Sequence, residues 1–161
     1  MNKSPAVFCR QLSLSARHIA FLAVLLFGSA RVGVAQSSSD SAAIRSAALD
    51  YIEGYYEGNG ERMERALHPE LAKRIVRTND QGQSQLGQMS ALTLVQGTRA
   101  GGGSRTPAAE RRKDVTILDI YQNAASAKIY ASGWVDYAHL AKWNGRWVIV
   151  NVLWELHPKK P

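Results

Sequence analysis

The chain has a single cysteine, Cys9, and its longest apolar run is only the ten residues IAFLAVLLFG. One cysteine excludes an internal disulfide, and Cys9 precedes the apolar run, where no lipoprotein anchor could form. The run is also too short for a membrane span, which needs about 20 apolar residues. Lys3, Arg10 and Arg17 stand before it, and small residues follow, with Gly33 and Ala35 of GVAQ placed where a signal peptidase reads. That pattern predicts a secretory signal over residues 1–35 and an exported protein, periplasmic or secreted, with no membrane contact once the signal is removed. GSA, ending at Ala30, is a second possible cleavage site.

Acidic residues are absent from residues 1–35, which changes the reading of the charge. The whole chain has 20 Lys+Arg against 13 Asp+Glu, a net +7. Lys3, Arg10, Arg17 and Arg31 would leave with the signal, so the mature chain carries 16 basic and 13 acidic residues, or +3. A balance that small removes the electrostatic case for nucleic acid as a partner. Cys9 would leave too, and with it any thiol chemistry. Residues 36–161 are enough for one domain and too few for two.

Along that domain the apolar spacing of Ile44, Ala48, Tyr51, Ile52 and Tyr55 predicts a helix, capped at Ser39 or Asp40 and ended by Gly58 and Gly60. Asn59 caps a second, shorter helix that Pro69 stops at His68. LAKRIVR is open between a strand and an irregular segment, and TNDQGQSQ reads as loop. Ser90 caps a short helix over ALTLVQ, with Met89 and Leu94 as a hydrophobic staple. Residues 97–114, glycine-rich and basic, read as an exposed, mobile loop; no Lys-Ser/Thr pair follows GGGS, so a phosphate cradle is not indicated. From Asp114 the chain alternates as strands, with a turn expected at AAS and a tight hairpin at Asn144-Gly145. Helices first and a strand meander last make an α+β domain, its helices laid on one face of a curved antiparallel sheet.

The Asn144-Gly145 turn predicts a register. One face would carry Lys142/Trp147, Leu140/Ile149, Ala138/Asn151 and Asp136/Leu153. The other would carry Ala141/Val148, His139/Val150, Tyr137/Val152 and Val135/Trp154. Neither face is polar, although a sheet with one solvated face should show one. The second face therefore predicts a homodimer, with Val148, Val150, Val152 and Trp154 at the contact.

DYIEGYYEGNGERMERALHPELAKR together with GWVDYAHLAKWNGRWVIVNVLW resembles the putative lumazine-binding family of the nuclear-transport-factor-2-like superfamily, over roughly residues 42–157. Relatives there include SnoaL-like polyketide cyclases and ketosteroid isomerases. The resemblance implies a cone of helices wrapped by a strongly curved antiparallel sheet, a small-molecule pocket inside it, and a dimer across the sheet. It places Tyr51 where the isomerases carry a catalytic tyrosine. At the spacing where they need a carboxylate base this chain has Lys73, Arg74 and Ile75, so isomerase chemistry is not implied.

The ligand-binding candidates are Tyr51 and Tyr55, one helical turn apart, with Trp134, Asp136, Trp147 and Asn151 on the inner sheet face. Asp136 either anchors a hydrogen-bond network or serves a ligand, because an unpaired buried carboxylate is costly. Asp136, Tyr51 and His68 are the acid–base candidates if the protein is a cofactor-free cyclase, isomerase or dehydratase. His139 falls on the dimer face, and His68, His139 and His157 show no metal-ligand spacing. Three readings stay open: a domain binding a small apolar or aromatic molecule, such an enzyme, or a non-catalytic interaction module filled by its own aromatic side chains. None calls for a cofactor or metal.

Overall fold

The computed structural model describes residues 32–158. The expected signal segment, Cys9 included, lies outside the described residues apart from Val32–Ala35, which open the first helix. Helix α1 (Val32–Glu57) presents Ile44, Ala47, Ala48, Tyr51, Ile52 and Tyr56 as one buried stripe, the three-to-four residue repeat of a helix packed on a core. It does not start at Ser39 or Asp40, as a cap would require. Asp40 sits inside the helix and is buried, accepting bonds from Lys142 Nζ (2.7 Å) and Trp147 Nε1 (3.0 Å) on the sheet. A carboxylate supplied with these donors has no need of helix-end N–H groups.

The first helix ends at Gly58, and Asn59 Oδ1 accepts from the Arg62 N–H (3.0 Å) to cap α2 (Gly60–Ala66). LAKRIVR lies wholly within strand β1 (Leu67–Thr78), and part of the expected loop is strand β2 (Ser84–Ser90). Their turn is held by Asn79 Oδ1, which accepts from the backbone of Gln81 and Gln83. Ser90 Oγ caps helix α3 (Ala91–Arg99).

Residues 97–114 are the end of α3, hydrogen-bonded turns, a 3-10 turn at Ala108–Glu110 and the start of β3 (Lys113–Tyr121). Gly103 is buried against α1 and donates its N–H to the Tyr55 carbonyl (2.9 Å). A Cβ there would stand 2.4 Å from the Tyr55 ring, and one at Gly102 would stand 2.6 Å from the Tyr55 carbonyl oxygen. These glycines permit close packing on the helix.

β3 turns into β4 (Ala124–Ala131) at Gln122 and Asn123, ahead of the expected AAS turn, and Gln122 takes the left-handed conformation there (φ 51°). β5 (Trp134–Trp143) and β6 (Arg146–Leu156) close on Asn144 and Gly145, with φ of 49° and 77°.

The strand order is β2-β1-β6-β5-β4-β3, six strands in one sheet with β2 and β3 at its edges. The fold is α+β as expected, but the strongly curved antiparallel cone is not what forms. The sheet is open, and it is mixed, because β1 runs parallel to β6 through Ala72↔Asn151, Lys73↔Val152 and Arg74↔Leu153. Pairing between strands so far apart in the chain leaves no trace in local periodicity.

A bulge corrects the hairpin register. Leu140 pairs with Ile149 as expected, but Val150 is extra, so His139 pairs with Asn151, Ala138 with Val152 and Asp136 with Trp154. From Val150 onward every β6 side chain changes face. Val152, expected at the dimer contact, is fully buried under the helices, and Leu153 is 51% exposed. Asn151 moves to the outer face beside His139 and Arg74. The core lies between the helices and the inner sheet face, where Ile44, Ile52 and Met63 join Ile129, Leu140, Ile149 and Val152. Full burial of such side chains stabilises by about 1.5–3 kcal/mol each.

Candidate functional site

Alternation along β1 sends Leu71, Lys73 and Ile75 inward. Two of these are core aliphatics and the third is an ammonium. Lys73 Nζ donates to Asp136 Oδ1 (2.5 Å) and to the Tyr51 hydroxyl (2.6 Å). The Tyr51 hydroxyl in turn donates to Asp136 Oδ2 (3.1 Å), as does Trp134 Nε1 (2.7 Å). Asp136 is fully buried, and the Lys73 side chain is 4% exposed.

Removing two opposite charges from water costs several kcal/mol per ion, and close pairing with added hydrogen bonds is what offsets it. Asp136 has three such bonds. Burial still pulls the Lys73 ammonium below its ordinary value, against the attraction of Asp136. Burial, with the Asp136 charge behind it, pushes the Tyr51 hydroxyl well above the usual tyrosine value. Tyr51 therefore stays protonated at neutral pH, a donor to Asp136 and an acceptor from Lys73.

Aromatic rings cover the ammonium. Lys73 Nζ stands 4.8 Å from the Trp154 ring centroid, 5.3 Å from Tyr51 and 5.5 Å from Trp134, all within cation–π range. Tyr55 packs edge-on against Trp134 at 5.2 Å. Tyr55, Trp134 and Trp154 are only partly buried, so they form the boundary between the ion pair and the surface.

Tyr51, Trp134 and Asp136 thus meet at one point, with Tyr55 one ring further out. Trp147 belongs to a separate inner cluster with Asp40 and Lys142. Bonds from Lys142 and then Trp147 hold the Asp40 carboxyl below its ordinary value. Asn151 faces outward. His68 is bound locally, accepting from the Glu70 N–H (3.1 Å) and packing edge-on on Trp143. His157 donates through Nε2 to the Ala131 carbonyl (3.0 Å) and stacks on Tyr130. Among the described residues no group of three His, Cys, Asp or Glu side chains could hold a metal ion. No helix among them is long and apolar enough to cross a membrane.

Lys73, Trp154 and Asp40 are absent from the candidates that the sequence yields. For Lys73 a signal existed, a cation in the inward register between Leu71 and Ile75. For Trp154 none did, because the Val150 bulge decides its face.

Solved structures share this architecture. An NTF2-like protein of unknown function from Shewanella baltica OS155 aligns with a TM-score of 0.58 at 22% identity, over 76% of this chain and 97% of that one. Another from Methylobacillus flagellatus KT gives 0.58 at 24% identity, over 74% and 94%. A third, from Silicibacter pomeroyi DSS-3, gives 0.58 at 15% identity, over 75% and 98%. The fold is NTF2-like. More narrowly, residues 39–155 match the family described as "Putative lumazine-binding", and the chain belongs to that family. None of the curated proteins matches it in sequence.

Proposed function

We propose that the protein is an exported, homodimeric binding domain that takes a small apolar or aromatic molecule between α1 and the inner sheet face. The observation that carries this is the partly exposed aromatic boundary of Tyr55, Trp134 and Trp154 over a buried polar floor. An apolar lining with a few fixed polar groups is what small-molecule sites share. Binding is favoured over turnover because both oxygens of Asp136 are already bonded and Tyr51 is held protonated, so neither of these two candidates stands free as a base. Native mass spectrometry of protein purified from its own host should show a small molecule that denaturation releases. A protein that carries none, and takes up none from a host extract, would count against the reading.

The outer face supports the dimer with Tyr137, which the expected register also put on that face, and with Val76, Leu86 and Leu153, which it did not. Val76, Leu86, Tyr137 and Leu153 are 49%, 62%, 46% and 51% exposed, and the register puts them on one side of the sheet. Stable homodimer interfaces are apolar in this way. Leu153→Arg should convert a sedimenting dimer to a folded monomer, and an unchanged dimer would place the contact elsewhere. Export rests on residues 1–35, and N-terminal sequencing of the exported protein should begin near Gln36.

A further inference from the structure

Two hydrogen-bond donors at the floor of this site lack an oxygen partner among the described residues. Trp154 Nε1 is buried and has no hydrogen-bond partner. Lys73 has three N–H groups and uses two, on Asp136 Oδ1 and the Tyr51 hydroxyl; otherwise the ammonium meets aromatic rings. Both donors belong to one local group, because the Trp154 ring centroid is 4.8 Å from Lys73 Nζ. Trp134, by contrast, has its indole N–H satisfied by Asp136. Buried N–H groups are nearly always paired, and an unpaired one calls for an explanation such as an absent ligand.

None of the neighbouring acceptors reaches Trp154 Nε1. Asp136 Oδ1 takes Lys73, and Oδ2 takes Tyr51 and Trp134. What the floor lacks is one more acceptor. Charge decides its kind. Asp136 already neutralises Lys73, so an added carboxylate or phosphate would leave a net buried anion, at a cost that a neutral acceptor avoids. The aromatic walls decide the rest, because Tyr55, Trp134 and Trp154 offer ring faces and edges to a flat apolar body.

We infer that the ligand is a neutral, planar aromatic molecule bearing a carbonyl oxygen, which accepts from Trp154 Nε1 and from the remaining N–H of Lys73. This rests on the binding reading above and names its ligand class. The partly exposed rings of Tyr55, Trp134 and Trp154 make the entrance, and one of them must swing for the carbonyl to reach the ammonium.

Calorimetric titration with matched probes tests it: 2-acetylnaphthalene against 2-ethylnaphthalene, and acetophenone against ethylbenzene, with benzoate as the anionic comparison. Each ketone should bind roughly tenfold more tightly than its hydrocarbon partner, the scale of a hydrogen bond from a buried charged donor. Trp154→Phe leaves an aromatic face beside the ion pair but removes the N–H together with half of the indole, so both probes should weaken by the lost ring area while the ketone-to-hydrocarbon ratio shrinks. In the parent, the ketone 13C carbonyl resonance should move downfield on binding, and less so in the variant. Equal binding of ketone and hydrocarbon would overturn the carbonyl assignment and leave the binding reading standing. Tighter binding of benzoate than of acetophenone would overturn the charge argument and the inference with it. If no probe of any kind binds, the interior is not a ligand site and both readings fall.

Discussion

Two of the ionic clusters that hold α1 differ in where the charge sits. The buried one joins Tyr51 of the helix to Lys73 and Asp136 of the sheet. The outer one joins Asp50, Glu53 and Glu57 of the helix to Arg62 of α2, with Lys113 adding a 2.5 Å contact to Glu53. By count of ion pairs the outer cluster is the larger. By consequence it is the smaller, because water and salt screen it and its partners can be solvated when a pair is broken. In the inner cluster no water replaces a lost partner. Its members are therefore bound to one another by the penalty for separation rather than by the strength of any one contact.

The largest effect should come from breaking the inner pair on one side. Asp136→Asn leaves the Lys73 ammonium buried without a counter-charge and should lower stability by about 3–5 kcal/mol, read as a lower urea midpoint. Replacing both partners sharpens the point: Lys73→Met with Asp136→Leu should recover most of that loss, since apolar side chains of similar size often stand in for a buried pair. A double variant no better than the single would mean that the pair contributes to stability rather than offsetting its own burial. Next in size is Tyr51→Phe, which removes an acceptor from Lys73 and a donor from Asp136 and should cost about 1–3 kcal/mol.

Arg62→Ala should cost about 1 kcal/mol or less, and added sodium chloride should erase much of the difference between variant and parent. Burial opposes the charge on Arg62, but its bonds to Asp50, Glu57 and Glu53 outweigh that and hold the guanidinium above its ordinary value. If Arg62→Ala proves as damaging as Asp136→Asn, and salt does not change it, the contrast between the clusters fails.

The smallest effect concerns acid. Asp40 has its carboxyl lowered by bonds from Lys142 and Trp147, so the folded state gives up that proton more readily than the unfolded chain. Its contribution is present above the ordinary aspartate value of 3.8 and is lost as pH falls below it. Urea midpoints measured from pH 5 down to pH 3 should fall less steeply for Asp40→Asn than for the parent.

What could be read directly was local chemistry. Asn59 and Ser90 cap helices because a side-chain oxygen reaches an N–H three residues on, a relation the sequence displays. Asn144-Gly145 makes its turn because both residues accept a left-handed backbone. Tyr51 was legible as inward from the helical spacing and the resemblance, Trp134 and Asp136 from the hairpin alternation. The bulge was not legible, because one extra residue at Val150 is settled by packing on both sides of the sheet, and it alone exchanges Asn151 and Leu153 for Val152 and Trp154 on the inner face. Asp40 looked like a cap because its partners, Lys142 and Trp147, lie about a hundred residues away.

The sequence by itself determined the Asn59 and Ser90 caps, the Asn144-Gly145 turn and the family, since each rests on residues close together in the chain; it did not show that β1 and β2 come before the last helix. Only the tertiary structure decided that β1 runs parallel to β6 in an open sheet, and that this brings Lys73 beside Asp136, 63 residues on. The reason is physical. Local signals arise from bonds that a short segment can make alone, whereas a buried ammonium is tolerated only where distant strands together supply its carboxylate, its hydroxyl and its aromatic cover.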